Sequence, residues 1–151
     1  VLQNIERMLK FRSNLEFALS DTTGLASPDR VKSLATQALA QFGDDANFIF
    51  HGHDTAGFGL ANVLACIEAG IRSFDASVAG LGGCPFAPGA TGNIASEDLV
   101  YLMHRMGIQT GIDLEKLLDA GDIIEALPGV ACTGHVRKLP RQRALEYRAA
   151  A

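Results

Sequence analysis

The sequence has only three cysteines, Cys66, Cys84 and Cys132, at no paired spacing, which excludes a disulfide-stapled scaffold and a zinc-finger pattern. It also lacks a basic start followed by an apolar stretch and a cleavage site, so nothing marks it for secretion. A reducing compartment fits, with the cytoplasm as the default and the mitochondrial matrix as the alternative if a transit peptide was removed. Long hydrophobic runs are missing too: none approaches the roughly 20 residues that cross a bilayer, so no membrane association is expected. Basic residues are outnumbered, 13 against 17, and a net charge of −4 argues against nucleic acid as a partner. Aromatics make up only 7 %, but with 48 % hydrophobic and 20 % charged residues the 151-residue chain reads as one ordinary globular domain rather than a disordered one.

One segment breaks the acidic trend. Residues 135–151 hold Arg137, Lys138, Arg141, Arg143 and Arg148 against Glu146 alone, a local charge of +4 that leaves −8 on the rest. Such an alanine-ended tail reads as a solvated helix or a frayed terminus rather than a binding arm.

The hydrophobic pattern supplies the architecture. Leu2, Ile5 and Leu9 predict a helix over residues 1–10, and the alternation of Leu15, Phe17 and Leu19 predicts a strand ending at Ser20-Asp21. Ser27-Pro28-Asp29 supplies a cap, a proline and an acid for a helix that Gly43 stops. A second strand, Phe48-Ile49-Phe50, runs into His51-Gly52-His53-Asp54. The next helix carries Leu60, Val63, Leu64 and Ile67 and ends at Gly70. Arg72 to Ala79 alternates as a third strand. After a glycine-rich loop, Ser96 is expected to cap a helix with Leu99, Leu102, Met103 and Met106, and a last helix is expected over Asp113–Ala120. Strand ends near Asp21, His53 and Ala79 lie about 30 residues apart, the repeat of a parallel α/β fold. In that class, polar residues at the C-terminal ends of the strands line the active site.

Asp21, His51 and His53 occupy such ends. His51 and His53 are two residues apart, so an extended backbone points both imidazoles to one face, where they can share a metal ion; alternatively one of them acts only as an acid or base. Two imidazoles completed by amide, carboxylate and water oxygens suit Mg2+ or Mn2+. Asp54 alternates to the other face and reads as a partner behind the ligands or as a helix cap. The run Ala79–Asn93 has glycines at 80, 82, 83, 89 and 92, yet lacks the third glycine of a dinucleotide fingerprint and the lysine of a P-loop. Its Cys84 is either an inert turn residue or, over a metal site, a candidate acid or base.

Taken together, His51-Gly52-His53-Asp54-Thr55, the run from Ser73 through Gly82-Gly83-Cys84-Pro85-Phe86 to Asn93, Glu97-Asp98-Leu99-Val100-Tyr101, and Asp21-Thr22-Thr23-Gly24 with Pro28 closely resemble the hydroxymethylglutaryl-CoA lyase family. The likeness runs over about residues 14–121 with almost no gaps. It implies a TIM (β/α)8 barrel of which this chain holds the last three strand-helix units plus C-terminal helices, with 1–121 as barrel and 122–151 as an extension or tail. It implies one divalent cation held by His51, His53 and the amide oxygen of Asn93, and catalytic roles for Cys84, Asp21 and His51. The acyl-CoA substrate would be 3-hydroxy-3-methylglutaryl-CoA, cleaved to acetyl-CoA and acetoacetate.

A whole barrel needs about 250 residues and eight strands. The Asp-Gly-x-Arg motif that the resemblance places on the family's first strand, with its aspartate ligand and arginine, does not occur here. The expectation is therefore a fragment inactive alone, partnered by a missing N-terminal barrel half or by further copies of itself. The competing expectations are a citramalate or isopropylmalate synthase type of the same superfamily and a non-catalytic remnant or assembly module.

Overall fold

The computed structural model describes residues 1–83 and 92–146. Residues 1–75 form one compact unit and the described residues from 76 onward a second. Among the described residues no helix is long and apolar enough to cross a membrane.

The first unit is α/β. Helix α1 (Leu2–Leu9) precedes strand β1 (Leu15–Asp21), helix α2 (Pro28–Phe42), strand β2 (Ala46–Gly52), helix α3 (Gly59–Ala69) and strand β3 (Ser73–Asp75). The three strands make a parallel sheet in the order β1-β2-β3. The register pairs Asp21 with Gly52 and His51 with Asp75, which gathers the polar strand ends along one edge. Phe48 and Phe50 alternate inward with Leu19 from β1, and Val31, Ala35 and Ala38 of α2 and Val63 and Cys66 of α3 bury the opposing faces. Small residues at 35, 38 and 65 let the two helices pack together over the sheet. Cys66 belongs to this core: burial pushes its thiol up to about 12, which makes it a packing residue and not a nucleophile.

Three boundaries differ from the sequence pattern. The third strand stops at Asp75 instead of running to Ala79, because Val78–Gly80 turns through one 3-10 turn with Ala79 at φ 56 and Gly80 at φ 64. Helix α4 (Ser96–Arg105) is preceded by Ala95 as its cap, and Ser96 is its first residue: the Ser96 N–H donates to Ser77 O at 2.8 Å, and Ser77 N–H donates to Ile94 O at 3.0 Å. Helix α5 (Leu114–Glu125) extends five residues past Ala120, since nothing before Pro128 breaks it; Asp113 caps it through the Glu115 N–H at 2.9 Å.

The basic segment is also not a frayed terminus as far as it is described. After a 3-10 turn at Val136–Lys138 and the short helix α6 (Arg141–Leu145), Val136 and Ala144 are buried against Val100, Leu114 and Leu118 in the core of the second unit. Its charges meet the acids of α5: Arg137 bonds Glu125 at 2.7 Å, and Arg141 bonds Asp119 at 3.0 Å and Asp122 at 2.5 Å.

Helix α3 ends on Gly70 at φ 112, where an added Cβ would lie 3.2 Å from Leu39 Cδ1. A Gly70→Ala substitution is expected to cost about 1–2 kcal/mol for the left-handed backbone. Urea unfolding should show a lower midpoint with an unchanged slope.

Candidate functional site

Asp21, His51 and His53 lie at a strand end or just beyond it. Asp21 closes β1 and is 8 % exposed. Its Oδ1 accepts the Gly24 N–H at 3.0 Å, the Leu25 N–H at 3.3 Å and the Thr23 hydroxyl at 3.3 Å, and its Oδ2 accepts the Ala26 N–H at 3.0 Å. The carboxylate thus organises the turn before α2, while Oδ2 retains room for a second donor. Gly24, at φ 66, brings this turn against the loop after β2: an added Cβ would sit 2.7 Å from the Thr55 N, and Ala56 N–H donates to Gly24 O at 3.2 Å.

His51 and His53 come together as their spacing predicts. Their ring centroids are 5.2 Å apart with an edge-on angle of 68°. Asp75 Oδ1 lies 2.7 Å from His51 Nδ1. A carboxylate there holds the proton on Nδ1 and leaves the Nε2 lone pair for a metal or a proton. His53 is buried, 5 % exposed, and its Nδ1 has no hydrogen-bond partner. Burial first, and the neighbouring His51 second, hold its pKa below the usual imidazole value against the opposing pull of Asp21 and Asp75. The neutral imidazole so favoured is the form that ligates metal. Asp54 is the helix cap of the two alternatives, its Oδ1 accepting the Gly59 N–H at the start of α3 at 2.7 Å.

Asn93 belongs to the second unit. Its Nδ2 donates to Leu81 O at 2.7 Å, which fixes the amide orientation and leaves Oδ1 buried without a hydrogen-bond partner. Cys84, the proposed catalytic thiol, lies outside the described residues. Taken unit by unit, the donor chemistry suits a hard divalent cation: the first unit offers imidazole nitrogens, one backed by a carboxylate, and the second an oriented amide oxygen without a partner. Among the described residues no group of three or more His, Cys, Asp and Glu gathers around one point, so any such site needs the amide or donors from elsewhere.

The comparison that decides kinship is a match of residues 1–124 to the HMGL-like family model. The chain belongs to the HMGL-like family. It is 48 % identical over 109 residues to the mitochondrial hydroxymethylglutaryl-CoA lyase of Mus musculus, covering 72 % of this chain and 33 % of that protein. It is 49 % identical over 114 residues to the (R)-citramalyl-CoA lyase of Chloroflexus aurantiacus, covering 76 % of this chain and 36 % of that one. Among solved structures, an HMG-CoA lyase from Acinetobacter baumannii in complex with coenzyme A and 3-methylmalate superposes with a TM-score of 0.80 at 43 % identity, over 90 % of this chain and 44 % of that one. The chain spans about a third of the length of the curated relatives it matches.

Three acids lie within the runs that carry the resemblance, yet the sequence pattern assigns them no role. Asp75 is visible there only as a polar position on the third strand; its place behind His51 depends on the register between two strands. Glu97 and Asp98 open α4 and are both buried. Glu97 Oε2 accepts the Ala79 N–H at 3.0 Å, and this bond replaces the strand ladder where β3 was expected to continue.

Burial raises the Glu97 pKa above 4.5, with the nearby Arg137 opposing it weakly. The folded state therefore keeps this proton to higher pH than the unfolded chain, so stability falls as pH rises from 4.5 through the raised value. Glu97→Gln keeps an acceptor for Ala79 and removes the titration. The difference in thermal midpoint, variant minus parent, is expected to climb between pH 4.5 and pH 7.5; a flat difference in calorimetry would contradict the burial argument.

Proposed function

We propose that this chain carries part of the active site of a divalent-metal-dependent lyase that cleaves 3-hydroxy-3-methylglutaryl-CoA to acetyl-CoA and acetoacetate. The observation that supports it most directly is the His51–His53 pair with Asp75 behind it, in a chain whose relatives are carbon-carbon lyases. The three parallel strands would be one arc of a (β/α)8 barrel, with the remaining strands supplied by the rest of the protein or by a partner half. In that setting the chain contributes the donors His51, His53 and the Asn93 amide oxygen to Mg2+ or Mn2+.

A cation held by these donors would supply Lewis-acid polarisation, lowering the pKa of the substrate's tertiary hydroxyl. The chain's own residues do the rest. Asp75 keeps His51 in the tautomer with Nε2 free, and Asp21 Oδ2 accepts the hydroxyl proton. As that proton leaves, the oxygen becomes the ketone of acetoacetate, the C2–C3 bond breaks, and its electron pair passes to the thioester enolate. Cys84 then donates a proton to C2, giving acetyl-CoA.

A second reading has its own support. The citramalyl-CoA lyase relative is as similar as the hydroxymethylglutaryl-CoA lyases, and its substrate also pairs a tertiary hydroxyl with a CoA thioester. The same reverse cleavage of (R)-citramalyl-CoA would release pyruvate in place of acetoacetate.

Both readings are tested on the whole protein after chelator treatment and return of Mn2+, offering each thioester and measuring acetoacetate and pyruvate. Acetoacetate release that depends on metal is expected. His53→Ala should abolish it, Cys84→Ser should lower kcat with metal affinity intact, and Asp75→Asn should weaken Mn2+ binding about 10–100-fold. Full activity in His53→Ala, or turnover without any divalent cation, rejects the metal-lyase assignment.

A further inference from the structure

We propose that the segment Thr133–Val136 is a positioning element for Asn93, holding its amide oxygen in the orientation a cation requires. The inference rests on the proposed role of Asn93 as a metal donor. Every contact in it lies within the second unit.

The orientation of Asn93 depends on Leu81, whose carbonyl accepts the Nδ2–H at 2.7 Å. The fit is close, since a Cβ on Gly82 would lie 2.5 Å from that Nδ2. Leu81 comes directly after Ala79 and Gly80, both at positive φ, a conformation that alanine does not keep without support. Ala79 is held from two sides. Its N–H donates to Glu97 Oε2 at 3.0 Å, and its carbonyl accepts the Thr133 N–H at 2.8 Å. The Thr133 hydroxyl also fills the place a Cβ would take on Gly80.

Thr133 is in turn anchored by the residues on its C-terminal side. The buried Asp98 carboxylate accepts the His135 N–H with both oxygens, at 2.9 and 2.8 Å, the Val136 N–H at 2.8 Å, and lies 3.0 Å from His135 Nδ1. Val136 itself is locked into the core of Val100, Leu114 and Leu118. A continuous path of hydrogen bonds and packing therefore joins α4 and α5 through Thr133 and Ala79 to the Asn93 amide. The family match ends at residue 124, so this support comes from a part of the chain outside it.

The test uses the whole protein, with Mn2+ as the probe and paramagnetic resonance to count free metal. Coupling is reciprocal, so saturating Mn2+ is expected to slow amide exchange at Thr133, His135 and Val136 several-fold. Asp98→Asn and Thr133→Pro, which removes the Thr133 N–H, are each expected to weaken Mn2+ binding about 10-fold, the lower end for residues that orient a ligand, whereas Thr133→Ser keeps it. In an Asn93→Ala background the same two substitutions should change Mn2+ affinity no further. Unaltered exchange at those three amides on saturation overturns the proposal, and this measurement needs no variant to fold. Additive losses in the Asn93→Ala background overturn it as well. An Asn93→Ala protein that binds Mn2+ like its parent instead removes the ligand reading on which the proposal stands.

Discussion

Parallel pairing of β2 with β3 sets His51 opposite Asp75, and the first unit's chemistry depends on that register. A slip of one residue would turn His51 to the other face and leave Asp75 beside a backbone amide. Phe48 and Phe50 are buried on one face of β2, and a one-residue slip would turn both outward. Packing in the sheet thus decides which nitrogen of a histidine is free. The β1–β2 pairing sets Asp21 against Gly52, so the turn after β1 and the histidines at the end of β2 share one edge.

Much of this was legible in the sequence where local rules decide. Pro28 and Gly70 marked helix ends within a residue, because proline and left-handed glycine act on their own backbone; Ser27 stands before α2 without a side-chain capping bond, and Gly43 ends it in an ordinary helical conformation. The His51–His53 pair was visible because an extended chain has a period of two. What stayed hidden depends on partners distant in sequence. The alternation of Phe74, Ala76 and Val78 continues to suggest a strand, yet Glu97, 18 residues on, takes the Ala79 N–H and turns the backbone out of the sheet. Asp75 had no signal of its own, since a single chain does not display the register between strands.

The basic segment misled for a related reason. Its arginines dominate the composition, but their charge is answered by Asp119, Asp122 and Glu125 along α5, and two small apolar positions, Val136 and Ala144, do the anchoring. Net charge describes a surface and says little about what lies beneath it. The paired acids Glu97 and Asp98 illustrate the same point: placed in the first turn of α4 they look like ordinary helix-start residues, yet both are buried and each accepts a backbone N–H from outside the helix, Glu97 through Oε2 alone.

The close approach of Gly24 to Thr55 ties the turn organised by Asp21 to the loop that carries the histidines out of the sheet. Neither loop is free to drift alone. A longer side chain at 24 would push directly on the backbone two residues beyond His53, so a change in the first loop must be answered in the second.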